Sequence, residues 1–217
     1  MNYHRQFVRN AGVGVGLADS PQAMNLIHTR GAAAVIWKRQ PARCFQAWID
    51  SLDPACLPRA RVVLQPHSVR DVVALICLGA GMPDGEQPNV LVDDIAALAD
   101  VFATLMNTSY LRLRLDVVND NACRKFHIDA VTARLVCTYR GLGTQYGIST
   151  DGAEPARVFT VPTGAPIILR GTKWPDPPPS GLLHRSPPIE GTGETRLVLV
   201  LDPVGDELAS TSPAHQN

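Results

Sequence analysis

Four residues in the second half of the chain have the types and spacing to do chemistry. They are His127 and Asp129 in CRKFHID, His184 in HRSPPIEG, and Arg196 in RLVLVLD. On an extended backbone, residues two apart project to the same face, so His127 and Asp129 can hold one cation together. The pair alone is weak evidence: six His and fifteen Asp placed at random in 217 residues give about 0.4 such triplets. His184 adds a second imidazole, and two imidazoles with one carboxylate leave coordination positions open on a divalent ion. Arg196 opens an apolar run twelve residues later and can grip a carboxylate in bidentate fashion. Each has a plainer rival. His127 and Asp129 could be a hydrogen-bonded pair orienting a loop. Arg196 could make an exposed salt bridge to Glu190 or Glu194, worth little. Cys123 would close a zinc-like site as a fourth ligand only if the chain curls at 119–122, since on an unbroken strand it lies about 13 Å from His127.

The elements that must position these groups divide the chain. Residues 1–32 show no clear period and read as a loosely ordered arm. Ala33–Lys38 reads as a strand, and Phe45–Leu52 as an amphipathic helix with Phe45, Trp48, Ile49 and Leu52 on one face. Val69–Ala80 and Asp93–Met106 are further helices, separated by a loop over Gly79–Pro88. The period then changes to two: Leu111, Leu113, Leu115 and Val117 alternate with Arg112, Arg114, Asp116 and Val118. Strands follow at Ala133–Tyr139, Arg157–Val161, Ile167–Arg170 and Arg196–Asp202. Trp174–Pro188 holds six prolines in fifteen residues, which excludes a helix or a central strand and predicts a stiff connection delivering His184. Helices followed by strands predict an α+β fold: one domain over 33–202, its β core at about 110–202, and a polar tail over 203–217.

Composition narrows the functional classes. Hydrophobic residues make up 45% of the 217 residues and charged residues 18%, which excludes wholesale disorder. Twenty basic residues balance twenty acidic ones, so no global field draws the chain to nucleic acid or an anionic membrane. No apolar run approaches the roughly 18 residues of a membrane span, and the N-terminus lacks a signal pattern, which predicts a cytoplasmic protein. Five cysteines without a CxxC predict reduced, mostly buried thiols.

His127-x-Asp129, His184 and Arg196, in that order, resemble the signature of the Fe(II)- and 2-oxoglutarate-dependent dioxygenases. RLVCTYRGLGTQY (134–146) and VPTGAPIILRG (161–171) are also similar to segments of that superfamily, and the likeness spans about 110–202. The resemblance implies a double-stranded β-helix, a cupin-like jelly roll, with the N-terminal helices packed on it. It implies His127, Asp129 and His184 as Fe(II) ligands and Arg196 as the anchor of 2-oxoglutarate, with Tyr139 or Arg134 as a second cosubstrate contact. The activity implied is hydroxylation of an unidentified small molecule or peptide. CRKFHID, RLVCTYRGLGT, HRSPPIEG and RLVLVLD further resemble a bacterial family of unknown function whose members can be encoded beside zinc-handling GTPases. That resemblance implies a functional link to a metal-handling GTPase. It also implies an alternative role: a non-catalytic zinc or iron protein of metal homeostasis using the same three ligands. A jelly roll without metal is the third reading, and it requires that the three side chains fail to meet.

Overall fold

The computed structural model describes residues 12–149 and 153–205. Its clearest element is the alternating segment, strand β4 over Tyr110–Val118. Leu111, Leu113 and Leu115 are almost fully buried on one face, while Arg112, Arg114 and Asp116 are half-buried on the other. Preceding β4 are β1 (Gly14–Ala18), β2 (Ala32–Trp37), helix α1 (Arg43–Ser51), β3 (Ala60–Leu64), and helices α2 (Val69–Gly79) and α3 (Glu86–Met106). Following it are β5 (Ala133–Arg140), β6 (Gln145–Ile148), β7 (Phe159–Thr160), β8 (Ile167–Arg170), β9 (Leu182–Arg185) and β10 (Arg196–Val204).

Seven strands form one sheet in the order β1-β2-β8-β5-β10-β4-β3, and three form a second in the order β7-β6-β9. Among the described strands, β1 and β2 pair in parallel and the other strand pairs are antiparallel; an isolated parallel bridge also joins Gly12 to Ser180. Two cores follow from the two faces of the large sheet. Leu113, Leu135, Leu199 and Leu201 face the helices, meeting Phe45 and Ile49 of α1 and Leu91, Ile95, Leu98 and Phe102 of α3. Each such side chain contributes about 1.5–3 kcal/mol by leaving water. Val136, Ile167, Val198 and Val200 face the small sheet, where Leu182, Val161 and Tyr146 meet them. The two sheets therefore enclose a second apolar layer, the sandwich that a jelly roll requires.

Several elements differ from the sequence expectation. The arm read over 1–32 is ordered structure from residue 12 onward: β1 joins the sheet, and Met24 and Ile27 of a 3-10 turn (Gln22–His28) are fully buried. Residues 1–11 lie outside the described part. The β core is not confined to 110–202, because β1, β2 and β3 complete the large sheet. Helix α3 starts at Glu86, inside the segment read as loop, with Pro88 in its first turn, where a missing N–H costs no intrahelical bond. The proline-rich segment contains β9, an edge strand of the small sheet, which proline leaves intact because none falls within Leu182–Arg185. β10 continues through Pro203 and Val204 into the segment read as tail, and residues 206–217 lie outside the described part. All five cysteines are free; Cys77 and Cys137 are buried, Cys56 is half-buried, and Cys44 and Cys123 are exposed. The buried thiols are thus fewer than expected.

Candidate metal centre

His127 and His184 are brought together by backbone. An isolated antiparallel bridge pairs them, with the His127 amide donating to the His184 carbonyl at 3.1 Å and the reverse bond at 3.0 Å. Antiparallel partners project to the same side, so the imidazoles lie with ring centroids 4.5 Å apart. On β9, Leu182 and His184 alternate inward, and on the neighbouring strand Tyr146 pairs His184. Asp129 follows His127 in a loop pinned from the other side. The amide of Gly171 donates to the Thr132 carbonyl, Thr172 to Asp129, and Lys173 to Val131. A Cβ on Gly171 would overlap the Val131 carbonyl and approach the Asp129 carbonyl to 2.8 Å, so only glycine lets these segments close.

The three side chains converge. One donor atom from each of His127, Asp129 and His184 lies within 4.8 Å of the others. His184 Nε2 is 2.9 Å from Asp129 Oδ2, and His127 Nε2 is 3.5 Å from Asp129 Oδ1. Bonds of about 2.1 Å put neighbouring donors on one ion about 3.0 Å apart in an octahedron and about 3.4 Å in a tetrahedron, so the spacing fits a divalent cation. Asp129 Oδ2 is buried and has no hydrogen-bond partner, and its polar neighbour is His184 Nε2 at 2.9 Å. A buried carboxylate whose two oxygens each face an imidazole nitrogen, one of them without a hydrogen-bond partner, is costly without a cation and natural with one. His127 Nδ1 lies 2.9 Å from the Lys125 carbonyl, a bond that places the ring hydrogen there and leaves Nε2 free to ligate.

Arg134 is the counterion of the centre. It lies on the inner face of β5 and contacts Asp129 Oδ1 at 2.5 Å, while its Nε and Nη2 grip Asp202 of β10 at 2.6 and 2.8 Å. Burial alone would raise the Asp129 carboxyl; the two imidazoles and the Arg134 guanidinium outweigh it and hold the group far below the usual carboxylate range. The bond to Asp129 raises the His127 imidazole above its ordinary value, whereas burial lowers that of His184.

Arg196 is 1% exposed on the inner face of β10. Its Nε donates to the Leu142 carbonyl at 2.6 Å, and its Nη2 reaches the Thr138 hydroxyl at 3.4 Å. Both partners are neutral, and among the described residues no carboxylate forms an ion pair with it. Glu194 acts on it only from a distance, its carboxylate accepting instead from the Leu142 amide, and nothing pairs Glu190 with Arg196; Glu190 accepts from Asn121. Burial pushes the Arg196 guanidinium down to about 10. A buried, uncompensated guanidinium is a carboxylate-binding group in waiting.

Two second contacts implied by the resemblance are placed otherwise. Tyr139 faces the helices, away from the inner face that carries Arg134 and Thr138; its hydroxyl donates to Asp94 Oδ2 at 2.6 Å. Strand alternation separates the two faces, so Tyr139 is not at the centre. Arg134 is at the centre, but both ends of its fork are occupied by Asp129 and Asp202, so it orients a carboxylate rather than waiting for one. Cys123 is exposed and outside the three-residue group, so the four-ligand site does not form. Arg185 turns away, bonding Gln145 and lying over Phe126. Asp202 and Gly171 have structural parts at this centre that sequence alone did not reveal; only the alternation of β10, which puts Asp202 on the face of Arg196, pointed toward the first.

Comparison with known proteins supports the fold. The chain is similar to the Arabidopsis thaliana dioxygenase for auxin oxidation 1, solved as a 2-oxoglutarate binary complex, with a TM-score of 0.51 and 10% identity, covering 89% of this chain and 92% of that one. A dioxygenase for auxin oxidation from rice matches with a TM-score of 0.50 and 10% identity over 89% and 83%. The chain thus has the α+β jelly-roll fold of the 2-oxoglutarate-dependent dioxygenases, at an identity that establishes fold alone. No curated protein matches in sequence. A family model described as a protein of unknown function, DUF1826, matches residues 18–202, nearly the whole described domain. From this match the chain is assigned its place: it belongs to the DUF1826 family.

Proposed function

We propose that the chain is an Fe(II)- and 2-oxoglutarate-dependent oxygenase that hydroxylates its substrate. His127 Nε2, an Asp129 carboxylate oxygen and His184 Nε2 would hold the iron. Iron bound there, with 2-oxoglutarate as cosubstrate, supplies oxygen-activating chemistry. The chain's own residues do the rest. Arg134 and the Gly171–Lys173 backbone fix the Asp129 carboxylate, and the Lys125 carbonyl fixes the His127 ring. Val136, Val198, Val200 and Leu182 line the apolar space between the sheets and exclude water. Arg196 binds the far carboxylate of the cosubstrate, and Thr138 steadies the guanidinium.

The observation that carries this reading over simple metal holding is Arg196. A zinc or iron store needs the three ligands but has no use for a buried cation with only neutral partners on the same inner face. Anaerobic addition of Fe(II) and then 2-oxoglutarate to the metal-free protein tests it. A visible metal-to-ligand charge-transfer band is expected, absent in His184→Ala and requiring much more 2-oxoglutarate in Arg196→Leu. Tight zinc binding without the band would establish the homeostasis reading instead. No metal binding at all would leave a scaffold.

A further inference from the structure

The inner face of the large sheet runs beyond the small sheet toward its β3 edge, and there it is strongly basic. Register places Arg61 of β3 directly opposite Arg114 of β4, and Val63 opposite Arg112. On the other side of β4, Arg112 pairs Asp202 and Arg114 pairs Val200. One cross-strand row therefore runs Val63, Arg112, Asp202, and ends at Arg134, the counterion of Asp129. At about 4.8 Å per strand, Arg112 stands about 10 Å from β5 and Arg61 about 14 Å. Arg59 flanks the row, its Nη1 donating to the Val117 carbonyl at 2.8 Å. With Arg61, Leu115, Asp116 and Val118 it lines a shallow groove of about 520 Å³. Against these four guanidinium groups the strip offers two carboxylates: Asp116, paired with Arg114 at 3.7 Å, and Asp202, engaged by Arg134. Arginines directly opposite each other repel unless an anion joins them.

Edge protection accounts for Arg61 alone, because Arg112 and Arg114 sit on an interior strand. Among the described residues, nothing pairs with the outer edge of β3, and Arg61 and Val63 stand exposed on it. An extended peptide could add there by main-chain hydrogen bonds and lay every second side chain along the strip. The strip holds one aromatic residue, Tyr110, two positions before Arg112 on the same face of β4; a single ring gives no run of stacking platforms for successive bases, which disfavours a single-stranded nucleic acid.

We propose that this strip is a docking surface for an acidic, extended polypeptide segment added to the β3 edge. Resting on the oxygenase reading, it presents that segment, or a residue near it, to the His127–Asp129–His184 centre. The partner's chemistry is acidic and apolar residues in alternation: the acidic ones fall on the strip face with Arg61, Arg112 and Arg114, and the apolar ones on the opposite face, level with Val62.

A fluorescein-labelled peptide of alternating glutamate and valine is the probe, read by anisotropy against the full chain. Binding is expected, weakening with salt and falling about tenfold or more in Arg61→Glu, an exposed site where folding is not at risk. Arg114→Gln should weaken it similarly, while His184→Ala leaves it unchanged. No binding by the wild type, equal binding by Arg61→Glu, or tighter binding of an oligothymidylate or of the lysine–valine counterpart would overturn the proposal. The charge-transfer band is read on the same samples. A band without peptide binding sinks the docking surface alone, and peptide binding without the band sinks the oxygenase reading while the docking surface stands.

Discussion

Replacing Arg134 with leucine removes the one cation between two buried carboxylates. The Asp129 and Asp202 side chains are only 13% and 3% exposed, and Arg134 is 17% exposed, so solvent screens the trio little. Breaking a buried pair by deleting one partner costs about 3–5 kcal/mol, because the remaining charge is left uncompensated. For a chain of this size each kcal/mol moves Tm by about 2–4 °C, so a fall of roughly 6–20 °C is expected in metal-free protein. The structure adds a sharper condition. A divalent cation at the three ligands gives Asp129 a second counterion, so saturating Zn(II) should recover part of the loss, whereas Asp202 stays unpaired. Arg134→Leu combined with Asp202→Leu should recover most of the remainder, since an apolar replacement of a whole pair is often neutral. Thermal and urea denaturation of the four proteins, with chelator and with Zn(II), measures these terms as a double-mutant cycle. A loss below about 1 kcal/mol in Arg134→Leu, or strictly additive effects of the two substitutions, would refute the assignment of Arg134 as the shared counterion.

Two further outcomes test the surroundings of the centre. Gly171→Ala forces a methyl group into the carbonyls of Val131 and Asp129, so metal affinity should fall about 10–100-fold by competitive zinc titration while the circular dichroism spectrum stays that of the parent; unchanged affinity would show that this backbone does not position Asp129. Tyr139→Phe removes a bond to the charged Asp94, which Arg39 also holds in bidentate fashion, and should cost about 1.5–3 kcal/mol of stability without altering the 2-oxoglutarate requirement of the charge-transfer band; a shift in that requirement would return Tyr139 to the centre.

What sequence reveals here follows the range of the forces involved. The alternation of Leu111 to Val118 is local, and it forms the strand expected because one face is buried and the other is not. The convergence of His127, Asp129 and His184 was legible because metal chemistry restricts residue type so severely that order alone is informative. Elements whose reason is not local were missed. β9 is four residues between prolines, and β6 is four residues containing Gly147; neither shows a period, and both exist because each supplies the other's hydrogen bonds. Pro88 looked like a loop residue because first-turn tolerance depends on where the helix begins. Tyr139 and Arg134 stood on opposite faces of one strand, and only the packing of α3 against Tyr139 decides which face is inward. The Arg134–Asp202 pair spans 68 residues, and nothing in spacing joins them.

β2 sits between β1 and β8 in the large sheet, whereas the candidate ligands lie later in the chain and off that sheet: His127 and Asp129 between β4 and β5, and His184 on β9 of the small sheet. A fragment cut before β4 would keep every candidate ligand yet strip β8 of a neighbour and bare the leucines that α1 and α3 cover. Chemistry and cooperativity therefore have different borders in this protein. An insertion or recombination joint placed just upstream of residue 110, where the half with the candidate ligands begins, would split the large sheet, and that half could be exchanged only together with β1, β2 and β3.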